Sequence, residues 1–296
     1  MATATNPLPD EADPSVSSVW SLWAWIQAAF IAVLVAALYG WTLADLANDW
    51  WTDPALSQGF LLPPLALGIA WMRRHLTFAE PAVRDSRGLL WIAAACFLFL
   101  LGKLGAEFFL ARISFVILVT GILWTFWGGK RVRTLTFPLL LLATMVPLPA
   151  LVYNSVAAPL QLLASDVATQ LAQWMGVSVY RDGNIINLAH ISLGVERACS
   201  GLNSLSALMV GGVLLGFLQC TRAHTRILLF LLTVPLSIAA NVLRVTGTAV
   251  IADYHEEFAM GFYHAFSGWL VFVTGFAALY GISKPLHVLL DGTERT

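Results

Sequence analysis

Three polar residues stand at the ends of three apolar segments and together carry the side chains of a cysteine acyl-transfer centre. Cys199 lies in ERACSGLNSL, Arg244 in ANVLRVTG and His264 in FYHAFSGWLVF. A cysteine attacks a carbonyl as the thiolate, and a nearby imidazolium or guanidinium favours that ionised form. A histidine can relay a proton to the leaving amine, and a fixed cation can stabilise the oxyanion. The three residues are therefore predicted to be a nucleophile, an oxyanion-binding cation and a proton relay.

The composition is that of a membrane protein with several spanning segments. The chain has 296 residues, of which 58% are hydrophobic and 11% are charged, and it carries 12 Trp. An ordinary soluble domain is excluded, because such domains have about 25% charged residues. A nucleic-acid partner is not expected either, since the net charge is −1 and no concentrated basic face is present.

The three cysteines indicate neither a disulfide framework nor a zinc site. Cys96, Cys199 and Cys220 fall in or beside different apolar segments without Cys-x-x-Cys spacing. No cluster of His, Cys and carboxylate residues has ligand spacing, so no metal or redox cofactor is implied.

Apolar length and flanking charge predict an all-α polytopic membrane protein with about eight transmembrane helices. The predicted spans are 22–43, 57–72, 88–103, 107–127, 134–151, 200–219, 226–250 and 264–283. Residues 1–21 are predicted to be a disordered cytoplasmic tail, 22–285 the membrane domain and 286–296 a second cytoplasmic tail. No Lys or Arg precedes the first apolar run, which is long enough to span, so a cleaved signal peptide is not expected.

Basic residues concentrate on one side of these spans. With the N-terminus inside, eleven of the 16 Lys and Arg residues fall in cytoplasmic loops or in the C-terminal tail. They are Arg73, Arg74, Arg84, Arg87, Lys130, Arg131, Arg133, Arg222, Arg226, Lys284 and Arg295. The opposite loops hold acidic residues with almost no basic partners, among them Asp45, Asp49 and Asp53. This asymmetry predicts that both termini face the cytoplasm.

Residues 152–199 form the longest segment between predicted spans, and the orientation places it outside the cytoplasm. Apolar residues recur at helical spacing in APLQLLASDVATQLAQWMG, which predicts an amphipathic helix on the outer membrane surface or in a groove of the bundle. In VSVYRDGNIINL, two β-prone runs are joined by Asp182-Gly183, which predicts a β-hairpin. The helix and the hairpin are expected to form a small cap over the entrance of the sixth span.

Topology alone predicts that Cys199, Arg244 and His264 lie at about the same depth. The sixth and eighth spans begin at the outer surface, next to Cys199 and His264. Arg244 lies eighteen residues after Arg226, which is about 27 Å along a helix and close to the outer edge of a ~30 Å hydrocarbon core. An arginine within a span is costly unless it faces a partner or a polar cavity, so Arg244 is a candidate functional residue.

The three motifs resemble those of the exosortases, multi-pass bacterial membrane enzymes related to the archaeosortases. ERACSGLNSL, ANVLRVTG and FYHAFSGWLVF stand in the family's order on three consecutive spans. LSQGFLLPPLALGIAW, followed by two arginines, is similar to the family's second-span signature, with Gln58 where a His is expected. The resemblance covers nearly the whole spanning region and implies that Cys199, Arg244 and His264 form the catalytic triad.

The resemblance also implies the substrate and the location. Exosortases process exported proteins whose C-terminal signal has a Pro-Glu-Pro motif, a transmembrane helix and a basic tail. The implied site is the periplasmic face of the bacterial inner membrane, with transfer to a membrane lipid or glycolipid acceptor after cleavage. The glutamate of the motif would need a cation, for which Arg197, Arg181 and Arg112 are alternatives, with Arg197 nearest to Cys199 in sequence.

The candidates for substrate binding are Glu196, Arg197, Asn203 and Asn241. Glu196 is expected to pair with Arg197 or Arg244. The two asparagines either orient Cys199 and Arg244 or form structural hydrogen bonds between helices.

Each catalytic assignment has a structural alternative. A single cysteine is often a small buried hydrophobe, and an arginine near a span end can reach the headgroups. His190 and His255 compete with His264 for the role of base. Two other functions stay open, a carrier or flippase for a lipid-linked saccharide and a receptor that binds sorting signals without cleaving them. A carrier requires a polar path across the bilayer, which the few charges deep within the spans do not support.

Overall fold

The computed structural model describes residues 14–53, 56–195, 201–290 and 292, without the side chains at 14–21, 202, 203, 260, 264 and 265. The chain divides into two compact units. Residues 1–48 contain most of helix α1 (Pro14–Thr52), and residues 49–296 contain the other elements. Helix α1 therefore begins within the segment 1–21 that the sequence predicts to be a tail.

The second unit consists of helices and one small sheet. The helices are α2 (Leu62–Met72), α3 (Arg74–Ala79), α4 (Gly88–Leu104), α5 (Phe108–Thr134), α6 (Thr136–Ala143), α7 (Ala150–Trp174), α8 (Leu202–Gln219), α9 (Ala223–Tyr254), α10 (Glu256–Phe258) and α11 (His264–Leu290). A 3₁₀ turn covers Ser57–Phe60, and a π-helical turn, Ala259–Tyr263, leads into α11. The strands are β1 (Val179–Asp182), β2 (Ile185–Leu188) and β3 (Ser192–Gly194).

Within the described ranges, four helices are long and apolar enough to cross a membrane. They are Leu22–Thr52 of α1, all of α5 and α9, and Phe266–Leu290 of α11. Helix α4 and the part Ser204–Gln219 of α8 are shorter apolar helices. These helices agree with the predicted membrane protein, whereas the count of eight spans is not confirmed.

The predicted second and fifth spans differ most from the structure. Helix α2 has 11 residues and α6 has 8. At ~1.5 Å per residue they are about 16 Å and 12 Å long, too short to cross a ~30 Å core. Helix α6 ends at Ala143, and Pro147 and Pro149 stand in the non-helical stretch before α7, so 134–151 is not one helix. The two short helices pack against each other.

The helix and the hairpin of the predicted cap are both present. The helix, α7, begins at Ala150 and, with 25 residues, is longer than expected. The hairpin is confirmed, but its turn is Gly183-Asn184 rather than Asp182-Gly183, because Asp182 pairs with Ile185. Gly183 has a φ of +62°, which suits the tight primed turn. Strand β3 pairs antiparallel with β2 and makes a three-stranded sheet that the sequence does not predict.

The sheet, α7 and the C-terminal part of α9 share one hydrophobic core. Its buried members include Ala168, Ala172, Ile186, Leu193, Val195, Val245, Ala249 and Ala252. Ile186 is fully buried, and burying such a side chain stabilises the fold by about 1.5–3 kcal/mol. Small residues let α7 and α9 approach closely. The cap is thereby fixed on α9 directly beside Arg244, because Val245 belongs to the shared core.

A second cluster fixes the opposite end of α9. The rings of Phe137 (α6) and Phe217 (α8) stack with centroids 3.9 Å apart. The Arg73 guanidinium lies 4.2 Å from the Phe217 centroid and donates to the Thr134 carbonyl at the end of α5. Arg226, near the start of α9, lies 5.9 Å from the same centroid. Burial and the charge of Arg226 lower the pKa of Arg73. The end of α5 therefore lies level with the start of α9.

Candidate active site

Arg244 joins α9 to the start of α11. Its Nε donates a hydrogen bond to the Ser267 Oγ over 3.1 Å. Ser267 is 2% exposed, and it lies one turn into α11. Gly268 lies beside the guanidinium, and a Cβ there would be in ordinary van der Waals contact with Nη2 of Arg244 at 3.6 Å. The hydrogen bond sets the position of the half-buried cation against the helix that begins at His264.

Gly201 joins the start of α8 to the same part of α9. It precedes α8 and has a φ of +81°, a left-handed conformation that glycine adopts without strain. A Cβ at this position would lie only 2.8 Å from Cγ of Asn241. Asn241 is 1% exposed and lies three residues before Arg244 on α9. The backbone at 201 therefore approaches α9 about one turn away from Arg244.

The cap fixes the chain on the other side of the Cys199 stretch. The Val195 N–H donates to the Asn184 carbonyl over 2.8 Å, and the Asn184 Nδ2 donates to the Val195 carbonyl over 3.1 Å. Val195 is also buried in the core that the sheet shares with α9. Residues 196–200 thus connect two fixed points, Val195 and Gly201.

The structure describes only part of the predicted site. Glu196, Arg197 and Cys199 lie outside the described residues. The backbones of Asn203 and His264 belong to α8 and α11, and their side chains lie outside the described part. Of the seven predicted site residues, Arg244 and Asn241 are described with their side chains, and both lie where α8, α9 and α11 converge.

Arg181 and Arg112, two of the three arginines considered for binding the glutamate of the Pro-Glu-Pro motif, already contact carboxylates of the protein. Arg181 lies 3.3 Å from Asp166 and also donates to the Gly183 carbonyl. Arg112 is buried and lies 2.6 Å from Asp49. Binding a further carboxylate would compete with these contacts, which leaves Arg197 as the favoured candidate.

The competing histidines are exposed. His190 follows β2, and His255 directly follows α9, beside Glu256 and Glu257. Across the described ranges, no group of three or more His, Cys, Asp and Glu residues is placed to hold a metal ion.

Three contributors to this region are missed by the sequence argument. Asn184 and Ser267 act through the hydrogen bonds given above. Tyr263 is half-buried, and its hydroxyl lies against Gly247 of α9, where a Cβ would overlap with it. Burial raises the pKa of Tyr263, and the charge of Arg244 partly opposes that shift. The phenol therefore stays protonated at neutral pH and can donate a hydrogen bond. Tyr263 directly precedes His264, and this position is the sequence feature that could have marked it as part of the site.

Replacing Gly201 by alanine is expected to lower stability more than replacing Gly183. Both glycines have positive φ, so each alanine costs about 1–2 kcal/mol of backbone strain. Only at 201 does the new methyl group also meet a neighbour, which adds about 1–3 kcal/mol of overpacking. The measurement is thermal unfolding of the two purified variants in detergent. Equal midpoints for the two variants would contradict the close approach to Asn241.

The fold and the site define a class of protein: a helical membrane protein with a polar centre where α8, α9 and α11 converge. The model of the transmembrane exosortase family matches residues 50–281, more than three quarters of the chain. The chain belongs to this family. Comparisons with curated proteins and with solved structures found no match.

Proposed function

We propose that the protein is a membrane-embedded cysteine transpeptidase that cleaves the C-terminal sorting signals of exported proteins. The observation that carries the proposal is the convergence of α11 and the start of α8 on α9. Ser267 of α11 accepts the Nε hydrogen bond of Arg244, and Gly201 packs on Asn241 one turn away.

The sequence separations of Cys199 and His264 from Gly201 and Ser267 support placing the nucleophile and the base in the same site. Cys199 precedes Gly201 by two residues, and two Cα–Cα steps span at most about 7.6 Å. His264 precedes Ser267 by three residues, which is a rise of about 4.5 Å in a helix. These short separations along the chain support the proposal that Cys199, His264 and Arg244 act on one substrate carbonyl.

In the proposed reaction, the Cys199 thiolate attacks the carbonyl carbon of the scissile peptide bond. A C–S bond forms, and the carbonyl electron pair moves to the oxygen, where the permanent cation of Arg244 stabilises it. As the carbonyl re-forms, the C–N bond breaks and His264 gives its proton to the leaving amine. A hydroxyl or amine of a membrane-linked acceptor, or water, then attacks the thioester, passes its proton to His264 and releases the thiolate.

The membrane supplies the proximity between enzyme and signal. The transmembrane helix of the signal lies beside the bundle, with its basic tail in the cytoplasm, which brings the Pro-Glu-Pro motif to the surface that holds Arg244. Arg197 is proposed to bind the glutamate of the motif, because Arg181 and Arg112 already contact Asp166 and Asp49. Restriction to one surface raises the local concentration of the substrate peptide bond.

The proposed location is the bacterial inner membrane, with the site in the periplasm and both termini in the cytoplasm. About eight crossings of the chain are proposed, of which the second and the fifth extend beyond the short helices α2 and α6. The charge distribution supports this orientation. Arg222 and Arg226 stand at the start of α9, and Arg131 and Arg133 at the end of α5, all at the end of the bundle opposite to Arg244. Cytoplasmic ends carry this excess of basic residues.

A reporter protein that ends in a Pro-Glu-Pro motif, a transmembrane helix and a basic tail tests the proposal. It is exported in cells that make the enzyme, and the mass of its C-terminal peptide is measured. We expect the helix and the tail to be missing. A free carboxyl end means hydrolysis, and an added mass identifies the acceptor. A full-length reporter in cells that accumulate the enzyme would overturn the proposal, because both a carrier and a non-cleaving receptor leave exported proteins intact.

A further inference from the structure

A basic cavity lies between the 80–87 loop and the C-terminal part of α5. Its volume is about 580 Å³, within the range of small-ligand sites. Four cationic and two aromatic side chains contribute to its lining: Arg84, Arg87, Lys130, Arg133, Trp124 and Trp127. The lining therefore has the composition that binds a phosphate group, since arginines bind its oxygens and indoles favour the membrane interface.

The single carboxylate in the lining is held in the wall of the cavity. The Trp124 Nε1 donates to one oxygen of Asp85 over 2.9 Å, and the Arg87 backbone N–H donates to the other over 3.0 Å. These hydrogen bonds lower the pKa of Asp85 and keep it charged, and the bond from the Arg87 backbone has the larger effect. One negative charge against four positive charges leaves a net charge of +3 in the lining. Among the residues that the structure describes, none of the four cations forms an ion pair.

The backbone that forms the cavity is fixed at several points. Gly128 interrupts α5 with a φ of +81°, and a Cβ there would lie 2.5 Å from the Val83 carbonyl oxygen. The Arg131 Nε donates to the Glu80 carbonyl over 2.7 Å. The Asp85 N–H donates to the Thr125 carbonyl over 3.2 Å. The loop therefore lies against α5 along its length, and the cavity is a formed feature rather than a gap beside a loose segment.

The cavity lies at the end of the bundle opposite to the candidate active site. Arg133 is adjacent to Thr134, whose carbonyl accepts a hydrogen bond from Arg73, and Arg73 and Arg226 approach the same ring. Arg244 is eighteen residues further along α9 than Arg226, about 27 Å at 1.5 Å per residue. A molecule in the cavity is therefore distinct from the acyl acceptor in the proposed reaction.

We propose that this cavity binds the phosphorylated headgroup of an anionic membrane lipid, in the leaflet that meets the basic end of the bundle. Arg84, Arg87, Lys130 and Arg133 provide the charge, and Trp124 and Trp127 line the same cavity at the interface. Basic pockets between transmembrane helices on the cytoplasmic side bind such headgroups through their cations. The bound lipid contacts the 80–87 loop and α5 and takes no part in peptide cleavage.

Lipid binding to the purified full-length protein in detergent tests the proposal without any sorting substrate. Native mass spectrometry measures the bound fraction during titration with phosphatidylglycerol or cardiolipin, and with phosphatidylcholine as the neutral-headgroup comparison. We expect the anionic lipids to bind at least about tenfold more tightly. Equal binding of phosphatidylcholine would overturn the proposal, and so would displacement of the lipid by millimolar inorganic phosphate, which would indicate a soluble phosphate as the ligand.

A matched pair of double variants locates the site. Arg84→Gln with Arg133→Gln removes two charges from the cavity, and Arg74→Gln with Arg222→Gln removes two from the same end of the protein outside it. Arg74 and Arg222 donate to the Trp71 and Leu290 carbonyls and do not line the cavity. We expect about tenfold weaker binding of anionic lipid only in the first variant. Equal weakening in both variants would assign the binding to general surface charge. Should the first variant unfold, the comparison of lipids on the unchanged protein decides the outcome.

Discussion

Replacing Cys199 by alanine is expected to reduce processing of the reporter by at least about 10⁴-fold, because a side chain that forms the covalent intermediate has no substitute. Cys199→Ser is expected to be almost as inactive, since a hydroxyl is far less ionised than a thiol at neutral pH. The measurement is the fraction of reporter that loses its tail over time, normalised to the amount of enzyme in the membrane.

Cys96→Ala is the matched control for this result. Cys96 is an exposed thiol on α4, so its loss is expected to leave processing within about twofold of the unchanged protein. Cys220 is less suitable, because it is buried in a core with Leu215, Leu229 and Leu279. Normal processing by Cys199→Ala would remove the nucleophile from the proposed mechanism. If the unchanged protein binds the reporter but does not cleave it, the receptor alternative is favoured.

The sequence predicts those features that local patterns determine. The helical period of 158–176 predicts α7, and the Gly183 turn between two β-prone runs predicts the hairpin. The spacing from Arg226 to Arg244 predicts the level of Arg244 because a rise per residue is fixed by helix geometry. The motifs around Cys199, Arg244 and His264 predict the family, which is confirmed by the match over residues 50–281. The triad itself stays a prediction.

The features that the sequence does not predict depend on contacts between distant segments. Strand β3 has only three residues and is stabilised by pairing with β2 and by the core shared with α9. The lengths of α2 and α6 are not visible in hydropathy, because the apolar run begins before α2 and continues past the end of α6. Ser267 and Asn184 are ordinary polar residues whose roles arise only from their partners, Arg244 and Val195.

Replacing Arg244 by glutamine is expected to lower the processing rate by about 10²–10³-fold, the usual cost of losing one oxyanion-stabilising donor. Arg244→Lys keeps the charge but is expected to recover only part of this loss. Lysine lacks the planar array of donors and cannot keep the Nε hydrogen bond to Ser267 while reaching the substrate with a second group. Ser267→Ala removes that hydrogen bond alone and is expected to cost about tenfold.

The relative activities of these three variants distinguish a catalytic role of Arg244 from a structural one. If Arg244 only anchors α9 to α11, then Ser267→Ala and Arg244→Gln should lower thermal stability and processing to similar extents. If Arg244 stabilises the oxyanion, the glutamine variant loses far more activity than the alanine variant at comparable stability. Processing is measured at saturating and limiting reporter, because loss of a transition-state interaction lowers kcat and kcat/KM together. Arg74→Gln, at the opposite end of the bundle, serves as the control for loss of a positive charge. Full activity in Arg244→Lys would show that charge alone is sufficient and that the guanidinium geometry set by Ser267 is not required.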